Sequence, residues 1–290
     1  WKRIRKNRLR KFKIMKQLFD FDLKKIPITS KKEESERKKN LELFLKTGLP
    51  NKKNENWKFT DLNSIINKNF KNISNNNDFK FEKKNELINY FDHNHIVLVN
   101  GMLKSSDIRF EDKEKIKIGK QNLVDEMDSN SNNNLHYLNK ALSVGGFNLE
   151  VKENYKCKKP IIVYNYFTSL ENKIINNSNK IKLNQNSELI LIEYNISDQN
   201  KFLKNTFEKI QIDKGSVLKN IIVQKNKSNG FFYRNILGTQ GYNSSYQNFI
   251  LSSGLKFNKI EIDMNLEKEN CNCYILSGLS LGRGEHQEIK

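Results

Sequence analysis

The chain has 290 residues, 36% of them hydrophobic and 10% aromatic, and a formal charge of +19. That is enough apolar material for two domains, or for one elongated domain with a helical appendage, and it excludes a chain disordered throughout. No run of 18 apolar residues occurs, so no helical membrane span, and no membrane partner, is expected.

Eight of the basic residues lie in the acid-free stretch 1–14, and without them the excess falls from +19 to +11. Met15 opens a more ordinary N-terminus, so 1–14 reads as upstream translation or a targeting segment. It has neither the Ser enrichment of a transit peptide nor the apolar centre of a secretory signal. The remaining charge is spread through a chain crowded with Lys, Asn and Ile, the pattern that an AT-rich coding sequence produces. A nucleic-acid surface needs basic residues gathered on one face with aromatics between them. No such module is present, so no nucleic-acid partner is expected.

In chain order, Ser30 and Glu33 form an S-x-x-E capping box that starts a helix. Leu41, Phe44 and Leu45 give it an apolar face, and Gly48 and Pro50 end it. Further helices are expected over about Phe81–Phe91 and Leu135–Leu142, where apolar residues recur at helical spacing. His95–Gly101 reads as a short strand ending in a turn, and the Asn-rich tracts near 72–77 and 129–134 read as loops.

From about Gly145 helical periodicity stops. Short β-rich runs begin at Pro160, Glu188, Phe207, Phe231 and Lys259, with turn signals at Gly215, Asn229-Gly230, Gly241 and Gly254. The clearest alternation sets Ile260, Ile262, Met264 and Leu266 against Glu261, Asp263, Asn265 and Glu267. At least eight strands without intervening helices mean a sandwich, a barrel or a solenoid, and periodicity alone leaves solenoid and sandwich both open.

Catalytic and ligand motifs are sparse. There is no P-loop, no dinucleotide fingerprint, no H-E-x-x-H and no G-x-S-x-G, so no ATP hydrolysis by this chain is expected. His93 and His95 stand two apart but lack the Cys or carboxylate neighbours of a metal site. Cys157, Cys271 and Cys273 are an odd, scattered set, which argues against a disulfide framework and for a reducing compartment. Cys271 and Cys273, placed on one face of a strand over Cys271–Ser277 with Ile275, read as small hydrophobes. Cys157, between Lys156 and Lys158, has cationic neighbours that lower a thiol pKa, but reads as a loop thiol. His286 lies near the end without companions that would complete a site. No catalytic, cofactor-binding or metal residue is therefore assigned.

The segment Leu45–Leu62 resembles a signature of SufD proteins: Gly48-Leu49-Pro50, a polar spacer, Glu55, then Trp57-Lys58-Phe59-Thr60 and Asp61-Leu62. Trp57 and Phe59 read as anchors and Thr60 as the cap of the next helix. Collinear likenesses follow at Leu138–Val151, 159–162, Glu188–Ser197, Lys204–Gln224 and Leu276–Ile289. Asn258 stands where the family commonly has Arg, and no role is carried over to it.

The resemblance raises one architecture above the sandwich: a mainly β protein, with a smaller N-terminal α+β domain over about 15–134 and a right-handed parallel β-helix over about 135–290. It also implies that the family continues beyond Lys290, so the β-helix is expected to be incomplete, with the cluster-assembly and SufC-docking residues lying further on. The implied function is that of a non-catalytic scaffold subunit of the SufBCD complex, in iron–sulfur cluster assembly with SufB and the SufC ATPase. The resemblance also implies a possible homodimer, only transient contact with an Fe–S cluster, no stably bound cofactor, and a bacterial cytoplasm in preference to a plastid stroma. The alternative is a β-solenoid or β-sandwich binding module with no SUF role.

Overall fold

The computed structural model describes residues 18–75, 87–121, 133–224 and 227–290. Its first part is helical. Helix α1, Lys31–Thr47, starts at Ser30, whose side chain accepts from Glu33 N (3.1 Å) while the Glu33 carboxylate reaches back to Thr29 N (2.9 Å). It ends at Gly48, in left-handed backbone (φ 77°), whose N–H donates to Phe44 O at 2.7 Å. Phe44 is fully buried and Leu41 and Leu45 pack beside it, as the apolar face predicts.

The charged stretch before them is not wholly solvated. Glu33 and Arg37 are buried and pair at 2.9 Å, and Arg37 also donates to Ala141 O, at 2.9 Å. That contact fastens α1 to α3, Asn134–Leu142, and α2 spans Leu62–Asn69. Strands β1, Phe19–Asp20, and β2, Ile73–Ser74, form a small parallel pair. Of the helix expected over Phe81–Phe91, 81–86 lie outside the described residues and Leu87–Phe91 is not helical.

The rest is two seven-stranded sheets, with the chain alternating between them. The first contains β5 (Ile116–Lys120), β6 (Phe147–Val151), β8 (Ile174–Leu183), β10 (Leu203–Ile212), β12 (Phe231–Gln240), β14 (Phe257–Leu266) and β16 (His286–Ile289). The second contains β4 (Met102–Asp107), β3 (Asn94–Val99), β7 (Ile161–Phe167), β9 (Glu188–Ser197), β11 (Val217–Gln224), β13 (Ser245–Ser252) and β15 (Asn272–Leu279). Among the described residues only the β3–β4 and β5–β6 pairs are antiparallel. From β8 onward the first-sheet strands begin at 174, 203, 231, 257 and 286, so each coil takes 26 to 29 residues. This is a parallel β-solenoid, as expected.

Its interior lies between the sheets, where Ile181, Ile210, Ile236 and Ile260 face Leu191, Leu218, Ile222 and Ile250. The asparagine-rich composition has a structural use here. Asn100, Asn154, Asn172, Asn186, Asn243 and Asn270 hold φ of 49–59°, the left-handed conformation that Asn tolerates better than other side chains. The outward face of the first sheet carries the helices. Ile174, Leu203, Phe231, Tyr233 and Phe257 join one core with Leu135, Leu138 and Trp57.

Candidate docking site

The Leu45–Leu62 segment folds directly against the outermost first-sheet strands. Pro50 stops α1, and a short turn over Glu55–Trp57 drives the indole into a buried position, 3% exposed and 5.4 Å from the Tyr233 ring. The Lys259 ammonium lies 4.7 Å from the indole centroid. It donates to Asn56 O at 2.8 Å and to the Glu288 carboxylate, and Glu261 stands 3.6 Å away. A fully buried cation is thus held by an aromatic face, a carbonyl and two carboxylates, which together compensate its lost hydration. The Thr60 hydroxyl donates to Glu288 and sits 2.9 Å from His286 Nε2, and the His286 ring stacks on Phe257 at 5.3 Å. Burial pushes the Glu288 carboxyl up, but hydrogen bonds from Lys259 and Thr60 outweigh it and hold the pKa below the ordinary value. A cleft of about 680 Å³ opens beside this contact, with Asn56, Asn133, Asn235, Glu261 and Asp263 on its walls.

Two readings of this segment need correction. Phe59 is not an anchor: it is 76% exposed. Thr60 does not cap α2. Asp61 does, accepting from Ser64 N at 2.9 Å, because the Thr60 hydroxyl is committed to the β-solenoid.

A second polar cluster lies inside the solenoid. Glu193 on β9 pairs with Arg234 on β12 and, at 3.5 Å, with Lys204 on β10, and Glu208 stands 3.7 Å from Arg234. Lys204 lies between the Phe167 and Phe232 rings, 4.9 and 5.1 Å from their centroids. Burial raises the Glu193 carboxyl, but Arg234 and Lys204 overcome it and bring the pKa to about 2. Burial brings Lys204 down to about 8 against the opposing pull of Glu193. None of the four was singled out in the sequence. The one signal was that Glu193 and Arg234 interrupt the apolar runs of β9 and β12.

The other candidates are dispersed. His93 is occupied by Phe91 O (2.9 Å) and the Tyr164 hydroxyl (3.0 Å), and its ring is 6.4 Å from that of His95. Among the described residues no three His, Cys, Asp or Glu side chains gather as a metal site. Cys157 does not gain a lowered pKa from its lysine neighbours: burial, with the Glu111 charge, pushes the thiol up to about 12. Cys271 lies just before β15 rather than in it, with its thiol 3.0 Å from Lys268 O and 3.1 Å from Gly241 O. Cys273 packs inward against the solenoid core, and burial raises its pKa.

The helical region is thus clamped to the flank of a parallel β-solenoid by ionic and aromatic contacts. Compared with known families, residues 14–163 match the SufBD protein N-terminal region, and residues 166–290 match the SUF system FeS cluster assembly, SufBD core domain. The chain belongs to the SufBD family of SUF iron–sulfur cluster assembly proteins. No curated protein matches it.

Proposed function

We propose that the chain is a SufD-type scaffold subunit that acts without catalysis of its own, in a complex with SufB and the SufC ATPase, during iron–sulfur cluster assembly. The family match covers SufB and SufD alike. The reading as SufD is carried by the Gly48-Leu49-Pro50 and Trp57-Lys58 pattern, whose indole is locked under Lys259. In this reading any cluster is transient cargo of the complex, no cofactor is held stably by the chain, and the compartment is the bacterial cytoplasm. Among the described residues no helix is long and apolar enough to cross a membrane.

The test is co-expression with SufB and SufC from the same genome. Stoichiometric co-elution of all three, weakened by Trp57→Ala, supports the reading. Restoration of cluster assembly in a strain lacking SufB assigns the chain to the SufB side instead. No association with either protein removes the proposal.

A further inference from the structure

The outward face of the second sheet differs from that of the first. In register across neighbouring strands, Ile192, Ile221, Phe249 and Leu276 form one apolar row, and Val223 and Leu251 form the next. Phe249, Leu251 and Leu276 are 42%, 42% and 64% exposed, and a groove of about 380 Å³ runs between Phe249, Leu276, Tyr274 and Lys219. Aromatic and aliphatic side chains in contiguous rows with little charge are the composition of an interface rather than of a solvated sheet face.

We propose that this face docks an acidic amphipathic α-helix of a partner protein. Three observations carry the choice of occupant. First, the outward face of the first sheet is already covered by a helix: α3 lies across β8 and β10, with His136 against Phe207 at 4.3 Å and the Asn139 amide donating to Asn177 O and Asn205 O at 3.0 and 2.9 Å. Second, four strands about 4.8 Å apart offer roughly 15–20 Å along the solenoid axis, the length of about three helical turns. Such a strip covers on the order of 300 Å², well short of the ~800 Å² per partner of a stable dimer. Third, the charge is one-sided. Lys219 stands exposed on this face in no ion pair among the described residues, whereas Glu188 is already engaged by Lys156. A helix with carboxylates beside its apolar stripe answers Lys219, whereas a second copy would bring another Lys219 onto the same face.

The probe is a labelled 16-residue peptide with leucines at i, i+3, i+4 and i+7 and glutamates flanking them. It is titrated by fluorescence anisotropy into the full chain, beside a scrambled peptide and one with lysines in place of the glutamates. The expected result is at least tenfold tighter binding of the ordered acidic peptide, lost at least tenfold in Phe249→Asp. Lys219→Glu, an exposed change that leaves the core untouched, is expected to transfer the preference to the lysine peptide. Equal binding of the scrambled peptide, or a preference unmoved by Lys219→Glu, overturns the proposal. So does a dimer in light scattering that Phe249→Asp converts to a monomer, since that result gives the face to a second copy.

Discussion

At the residue scale the buried ionisable groups set how stability follows pH. His136 packs on Phe207 with 3% exposure, and burial, with the nearby Lys140 charge, lowers its pKa from 6.5 to about 3. Below about pH 6.5 the unfolded chain takes up a proton that the folded chain refuses until about pH 3, so stability falls with pH through that window. At pH 5 the loss from this group is about 2 kcal/mol. In urea titrations at pH 7 and pH 5, His136→Phe is expected to show a correspondingly smaller drop, and an unchanged drop would remove His136 from the account. Glu193 acts in the same direction, in a lower window. Its depressed pKa contributes stability that is present above about pH 4.5 and is lost as the pH falls towards 2. Glu193→Gln leaves Lys204 and Arg234 buried with only Glu208 beside them, at an expected cost of roughly 3–5 kcal/mol in denaturant unfolding at pH 7.

At the element scale, capping and backbone shape are the decisive features. The Ser30 start and Gly48 end of α1 are local devices, which is why they can be read from four or five residues. The Gly145–Gly146 corner is less local. Gly146 has φ 122°, and a Cβ there would lie 1.6 Å from Ser178 O, a carbonyl on the neighbouring strand. Gly146→Ala is therefore expected to lower stability by about 3 kcal/mol, read as a fall in the urea midpoint with the slope unchanged. A shift within error would mean that the corner relaxes freely. Strand β8 passed unnoticed in the sequence because Asn176, Asn177, Ser178 and Asn179 interrupt its apolar ends. In the solenoid these four are buried and bonded, Asn177 to Thr206 at 3.0 Å, Ser178 to Asn139 at 2.8 Å and Asn179 to Glu208 at 3.2 Å. Leu87–Phe91 failed as a helix because the outward face of β7 uses it instead: the Ile88 N–H donates to the Tyr164 hydroxyl at 2.9 Å.

At the scale of the whole molecule each coil is stable because the next one covers it. The outermost coil shows the consequence. Inward-facing Leu266, Ile275 and Leu279 are 48%, 43% and 36% exposed, whereas inward Ile236 and Ile250, each one coil deeper, are fully buried. Open strand edges beside exposed apolar side chains pair with other chains. Residues 15–290 expressed alone are expected to self-associate, with a mass by light scattering that rises with concentration. A monodisperse monomer would show that this coil is closed by its own contacts.

The sequence by itself determined the helix boundaries of α1, the mainly β character after Gly145 and, through the Trp57 segment and its collinear companions, the family. These are short-range signals or linear patterns, and they survive without knowledge of what touches what. Only the tertiary structure decided which side chains of that segment matter: Trp57 and Thr60 engage β14 and β16, while Phe59 is left in water. It also decided that Glu193, Lys204, Glu208 and Arg234 meet. They come from three strands spread over 42 residues, and only the coil-to-coil register of a parallel solenoid stacks them on one another.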